Sequence, residues 1–206
     1  MILGITGAIG SGKSAAAGIF EKYGFKVINA DELYHKLSKP NKLIYGKITK
    51  EFGREIINPD KSINRDKLKK IVFSDDKKLK KLNSITHPII ISEIKKLIKK
   101  NKNMDIIVDA PLLLESDAKN LVDKIIVVKC DDKIRISRLL KKGKHTKEQI
   151  RKITKSQMPI EKKLKFADFV IDNSGTLANT QLQVNGIINN ANSPRICGIE
   201  NCRTKV

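Results

Sequence analysis

The eight residues GAIGSGKS, Gly7 to Ser14, decide how the rest of the chain is read. They fit the spacing G-x-x-x-x-G-K-[ST], with Gly7 and Gly12 as the fixed glycines and Lys13 and Ser14 closing the pattern. Glycines let the backbone curl so that successive N–H groups converge on phosphate oxygens, and a helix starting there adds its positive N-terminal end. A lysine in this place reaches β- and γ-phosphates, and the hydroxyl after it ligates Mg²⁺. So short a pattern also arises by chance, and its surroundings must agree. Ile2, Leu3 and Ile5 make a short apolar strand before it, and SAAAGIFEKY (Ser14–Tyr23) reads as a helix ended by Gly24. Strand, loop and helix follow in the required order. They mark a phosphate-binding loop without naming a reaction, because switches, motors, transporters and kinases all use one.

At 206 residues the chain has room for one α/β domain with a sizeable core and insertions. Cys130, Cys197 and Cys202 are too few and too scattered for a disulfide framework, which points to a reducing compartment. The first residues lack a basic segment followed by a long apolar run, and IIVDAPLLLE is too short and too acidic to span a bilayer. The expectation is a soluble cytoplasmic protein with no membrane partner; its oligomeric state is open, with a monomer favoured.

The formal charge of +20 invites a nucleic-acid reading. Yet 35 of the 42 basic residues are lysines, spread along helical faces beside Ile and Asn, and aromatics make up only 4%. Arginine clusters, aromatic stacking platforms and zinc-finger spacings are absent. Compositional drift toward Lys, Ile and Asn explains the charge at least as well. No specific nucleic-acid partner is expected, and the same field suits a polyanionic small molecule.

Five apolar stretches predict the strands of a parallel sheet: Ile2–Thr6, Lys26–Asn29, Asp105–Asp109, Lys124–Lys129 and Phe169–Ile171. Helical patterns separate them, as in a doubly wound α/β fold. The long interval from Glu32 to Met104 has helical periodicity and no strand signal, so it reads as a helical insertion beside the core. Pro88 suits the first turn of a helix there. A second insertion, Asp131 to Phe166, opens with Asp131 as a helix cap and carries the capping-box pattern Thr146–Gln149. Two such insertions have a physical use: one can hold a phosphate acceptor, and the other can close over ATP and exclude water. No guanine-reading N-K-x-D follows a strand, and motor ATPases are usually larger; the architecture points to a small-molecule kinase.

Candidate chemistry lies at the strand ends. Asp31 ends VINAD, where open α/β sheets hold ligands. It has two readings, an acceptor that orients an attacking hydroxyl or the N-cap of the helix ELYHKL, and the loop beside it favours the first. Asp109 closes the third strand and suits Mg²⁺ held through water, while also being part of a buried strand. Arg135 and Arg138, with Lys142 beyond them, share a helix face that is either a phosphate clamp or a solvated surface. His87, before Pro88, is a structural or a functional residue.

Motifs in sequence order then resemble the dephospho-coenzyme A kinases over residues 1–180. They are T-G-x-I-G-S-G-K-S at Thr6–Ser14, A-D at Ala30–Asp31, F-G at Phe52–Gly53, R-x-x-L at Arg65–Leu68 and V-F at Val72–Phe73. H-P at His87–Pro88, D-x-P-L-L-x-E at Asp109–Glu115, Arg138, Gln157-Met158 and A-D-x-V-I-D-N at Ala167–Asn173 follow. The resemblance implies transfer of the γ-phosphate of ATP, with Mg²⁺, to the ribose 3′-hydroxyl of dephospho-coenzyme A. It implies an α/β P-loop kinase: a five-stranded parallel sheet flanked by helices, with a helical acceptor-binding insertion and a helical lid. The core is then residues 1–31, 104–130 and 167–180, the acceptor insertion 32–103 and the lid 131–166. Residues 181–206 match no motif of the family, Cys197 and Cys202 alone are too few for a metal site, and the segment reads as a poorly ordered tail. By the same resemblance Gly10, Ser11, Gly12, Lys13, Ser14 and Ala15 bind ATP, with Asn173 at the adenine. Lys13, Asp31 and Arg138 carry catalysis, Asp31, Arg65 and His87 meet the acceptor, and Ser14 meets Mg²⁺, with Asp109 reaching it through water. Three positions depart from the pattern. Ala8 replaces a glycine, which is tolerated if its φ is negative; Asn29 replaces an aspartate; and Lys142 replaces a second lid arginine, keeping charge but losing bidentate geometry.

Overall fold

The computed structural model describes residues 1–143 and 146–192. Strands β1 (Ile2–Thr6), β2 (Lys26–Asn29), β3 (Ile106–Asp109), β4 (Lys124–Lys129) and β5 (Phe169–Asp172) form one parallel sheet in the order β2-β3-β1-β4-β5. The middle strands read as unbroken apolar runs because both sheet faces are covered, and all four residues of β3 are buried. The strand order reverses at β1. The crevice beyond its C-terminal end is therefore where such a sheet takes ligands, and the phosphate loop occupies it.

One face of the sheet is covered by α1 (Lys13–Lys22) and α9 (Leu177–Asn192), around Leu3, Ile5, Phe20, Val128 and Val184. The tail therefore does not begin at Gln181. Val184 and Ile187 lie in the main core, so 181–192 is structural, while 193–206, with Cys197 and Cys202, lies outside the described residues.

The other face packs against the C-terminal half of α5 (Asp76–Lys100), around Ile28, Ile94, Ile106, Val108 and Leu113. The N-terminal half of α5 joins α2 (Ala30–Leu37), α3 (Leu43–Phe52) and α4 (Arg65–Phe73) around a separate core of Ile44, Ile48, Ile56, Leu68 and Val72. The segment 32–103 is thus not wholly an insertion, since its last helix is also a layer of the sheet. Pro88 lies inside α5, not in a first turn. A proline there forfeits one backbone hydrogen bond, and apolar packing at both ends of the helix offsets the loss. Between β4 and β5 run α6 (Asp132–Lys141), α7 (Lys147–Ser156) and α8 (Ile160–Leu164). Asp131 caps α6, and Thr146 with Gln149 closes the capping box of α7.

Candidate active site

The phosphate loop is shaped by two left-handed glycines, Gly10 at φ 80° and Gly12 at φ 92°. A Cβ on Gly10 would stand 2.7 Å from Leu139 Cγ, and one on Gly12 would collide with the Asn173 amide. Both positions therefore need glycine for space as well as for conformation. Ala8 is not among the non-glycine residues with positive φ, which among the described residues are Asn41 and Lys61, so its methyl group costs nothing in backbone strain. Lys13 Nζ donates to the carbonyls of Gly7 at 3.1 Å and Ala8 at 3.2 Å. Burial pushes the Lys13 ammonium below its ordinary pKa, and Asp109 and Asp31 partly hold it up. A desolvated ammonium of this kind gains strongly from a phosphate oxygen.

Asp31 lies in the first turn of α2 but does not cap it. The cap is Asn29, whose Oδ1 accepts from the N–H groups of Asp31 at 2.9 Å and Glu32 at 3.0 Å. The Asp31 carboxylate is left facing the cleft. Loss of water there raises its pKa, against the pull of Lys13. Asp109 is only 3% exposed. Its Oδ2 accepts from Asn29 Nδ2 at 3.2 Å, while its Oδ1 is buried with no hydrogen-bond partner. Desolvation pushes Asp109 up to about 6, with Lys13 opposing and the charges of Asp31 and Glu32 adding to the rise. An aspartate in place of Asn29 would set a second carboxylate against Asp109; the amide instead serves both the helix cap and Asp109.

One cleft of about 640 Å³ runs from the loop into the helical region, lined by Lys13, Ser14, Asp31, Arg65, His87 and Asp109. Arg65 is fixed at the end of the cleft that lies among the helices. Its Nη1 lies 3.0 Å from His35 Nε2, its Nη2 donates to Ser38 Oγ at 3.4 Å, and its guanidinium sits over the Tyr34 ring at 5.6 Å. Burial lowers the pKa of His87, with Glu115 and Asp117 opposing, which favours the uncharged ring.

A model of the dephospho-CoA kinase family matches residues 1–179. The chain belongs to the dephospho-CoA kinase family. It is 40% identical over 186 residues to a dephospho-CoA kinase of Carboxydothermus hydrogenoformans, spanning 89% of this chain and 90% of the relative. It is 41% identical over 184 residues to the Aquifex aeolicus dephospho-CoA kinase, spanning 88% and 93%. The solved dephospho-CoA kinase of Campylobacter jejuni superposes with a TM-score of 0.65 at 31% identity, covering 92% of this chain and 96% of that one. The fold is that of a P-loop kinase, and the chain is an ATP-dependent phosphotransferase.

In this kinase Arg138 and Asn173, both singled out from sequence, stand apart from the cleft lining. Arg138 donates through Nη1 to the Asn173 carbonyl at 2.8 Å and through Nη2 to the Gly175 carbonyl at 3.4 Å. Asn173 is buried, its Nδ2 donating to the Ser11 carbonyl at 2.8 Å and its Oδ1 accepting from Thr180. Its amide props the phosphate loop from behind. Lys142, the exposed C-cap of α6, lies outside the cleft lining as well.

Sequence reasoning missed Lys163, which is fully buried. Its ammonium pairs with Glu115 at 2.9 Å and donates to the Pro111 carbonyl at 2.8 Å and Thr6 Oγ1 at 3.2 Å. Lys163 thus ties α8, the end of the expected lid, to the loop after β3 and to the end of β1. In the run EKKLKF nothing distinguishes it from its lysine neighbours. Glu115 was legible only as the last letter of a motif, without a role.

Proposed function

We propose that the cleft transfers the γ-phosphate of ATP to the ribose 3′-hydroxyl of dephospho-CoA, giving CoA and ADP in the last step of CoA synthesis. The observation that carries this reading is the single cleft joining Lys13 and Ser14 to Arg65 and His87, with Asp31 between them. N–H groups of Gly10–Ala15 and the Lys13 ammonium receive the phosphates, and Asp31 accepts the hydrogen bond of the attacking hydroxyl and orients it. Arg65, already anchored on Tyr34 and His35, meets an anionic group of the acceptor, and the His87 ring offers it a hydrogen bond.

The orphaned, desolvated Asp109 Oδ1 beside Lys13 and Ser14 fits a divalent cation, held by the Ser14 hydroxyl and reached from Asp109 through water. Mg²⁺ bound there neutralises charge on the β- and γ-phosphates. Arg138 is joined to Asn173 behind the phosphate loop; exchanging its two carbonyl partners for phosphate oxygens would put its charge on the transferred group. ATP and dephospho-CoA are the partners of this reading, with no specific nucleic acid and no membrane. No helix among the described residues is long and apolar enough to cross a bilayer. We place the kinase in the cytoplasm, as a monomer.

ATP consumption with Mg²⁺ is measured against a panel of hydroxyl acceptors. Turnover dependent on dephospho-CoA is the expected result. Turnover with another acceptor and none with dephospho-CoA overturns the proposal.

A further inference from the structure

Ile9, at the tip of the phosphate loop, has both of its main-chain polar groups taken by side chains from the segment between β4 and β5. Its N–H donates to Gln157 Oε1 at 3.1 Å, and its carbonyl accepts from Arg135 Nη1 at 3.0 Å. These partners lie 148 and 126 residues further along the chain.

Each is itself held. Arg135 is 3% exposed, with its Nε and Nη2 on Asp132 at 2.9 and 2.8 Å and its Nη1 also on Thr154 Oγ1 at 3.4 Å. A phosphate clamp or a solvated cation keeps its fork free; this one is committed. Gln157 precedes Met158, whose N–H donates at 2.9 Å to Glu115, the partner of buried Lys163. The next loop residue, Gly10, lies against Leu139 of α6, so the same segment also fits the loop sterically.

A trans peptide points its carbonyl and its N–H in opposite directions. Fixing the Ile9 carbonyl on Arg135 therefore turns the Gly10 N–H the other way, away from the guanidinium. Without that tether, the bond beside a left-handed glycine is free to rotate and carry the donor with it. We infer that Arg135 and Gln157 form a two-point grip on the Ile9 backbone that presets the curvature of the phosphate loop. They are positioning residues for ATP, not phosphate ligands.

The inference rests on Gly7–Ser14 being the cradle of ATP, and the test separates the two. ATP affinity is measured by calorimetry on the full chain, beside steady-state kinetics and a thermal melt, for the wild type, Arg135→Met, Arg135→Lys, Gln157→Leu and the double variant Arg135→Met/Gln157→Leu. Losing a charge-assisted bond to the loop is expected to weaken ATP by about tenfold in Kd and KM, with kcat within about threefold. Arg135→Lys should recover part of that loss, and the double variant should lose less than the product of the single losses, because both act on one residue's backbone. Unchanged ATP affinity in folded Arg135→Met overturns the inference. So does a large fall in kcat at unchanged Kd, which makes Arg135 a contact of the transferring phosphate. Should Arg135→Met fail to fold, Gln157→Leu decides, and unchanged affinity there overturns the grip. A wild type that binds no ATP sinks the cradle reading instead.

Discussion

Asp31 and Asp109 face the same ammonium, yet their surroundings fit them for different tasks. Asp31 is released from capping by Asn29 and accessible in the cleft, so it is free to meet a hydroxyl. Asp31→Asn keeps the shape and loses the charge. It is expected to lower kcat by about a hundredfold or more while ATP KM stays within about threefold; near-wild-type turnover would return Asp31 to a structural role. Asp109 is the more confined, and its raised pKa has a consequence for stability. The folded protein holds this proton to about pH 6, whereas the unfolded chain releases it near the ordinary 3.8. The folded state therefore binds more protons than the unfolded state in that window, so stability falls as pH rises from about 4 to about 6. The full penalty, on the order of 3 kcal/mol, is present above that. Asp109→Asn should flatten the fall in metal-free thermal melts across this range, and Mg²⁺ should raise the melting temperature of the wild type more than that of the variant. At this scale the loop, Asp31, Arg65 and His87 were legible because each belongs to a spaced motif. The division of labour between Asn29 and Asp31 was not, because capping depends on where the helix begins within one residue.

Strand positions were legible almost to the residue, because buried parallel strands are written as short apolar runs bounded by polar ends. Helices were harder where local preference and tertiary packing disagree. Pro88 satisfies the statistics of a first turn, yet Leu79, Leu82 and Ile85 before it and Ile91, Ile94 and Leu97 after it bind two different cores, and one helix runs through. In α9 the run LANTQLQVNGIINNAN is rich in Asn and interrupted by Gly186, which hides its helical character. The legible signal was Val184, Ile187 and Ile188, three and four residues apart, all packed on the main core. Gln183 adds a polar clasp, its Oε1 accepting from the Asp172 N–H at 2.8 Å and its Nε2 donating to the Asp172 carbonyl at 2.9 Å. The element thus steadies the edge strand that leads to Asn173 and, through Asn173, the loop. Ile187→Ala is expected to cost about 2–4 kcal/mol in urea unfolding, as for other buried isoleucines. A loss below about 0.5 kcal/mol would make 181–192 an appendage after all.

Across the whole molecule, 42 basic residues outweigh 22 acidic ones, and among the described residues most charged side chains lie outside the three apolar cores, with Lys163, Arg135 and Asp109 as buried exceptions. Fold class was legible from the loop and the alternation of patterns. The purpose of the charge was not, since a lysine-rich surface suits ATP and a nucleic acid equally well. The two differ in what salt does. A field spread over the surface steers a small polyanion toward the cleft, and the steering fades as the screening length drops from about 30 Å at 0.01 M ionic strength to about 8 Å at 0.15 M. Chemistry inside the cleft, on buried or half-buried groups such as Lys13 and Asp109, is screened far less. Raising KCl at fixed Mg²⁺ should therefore lower kcat/KM for ATP and for dephospho-CoA together while kcat stays nearly level. DNA or RNA added at low salt should compete, raising both KM values without stimulating ATP hydrolysis, and the competition should vanish as salt releases the polymer. Stimulation of hydrolysis by nucleic acid would contradict this account and make the charge part of a binding surface for the polymer.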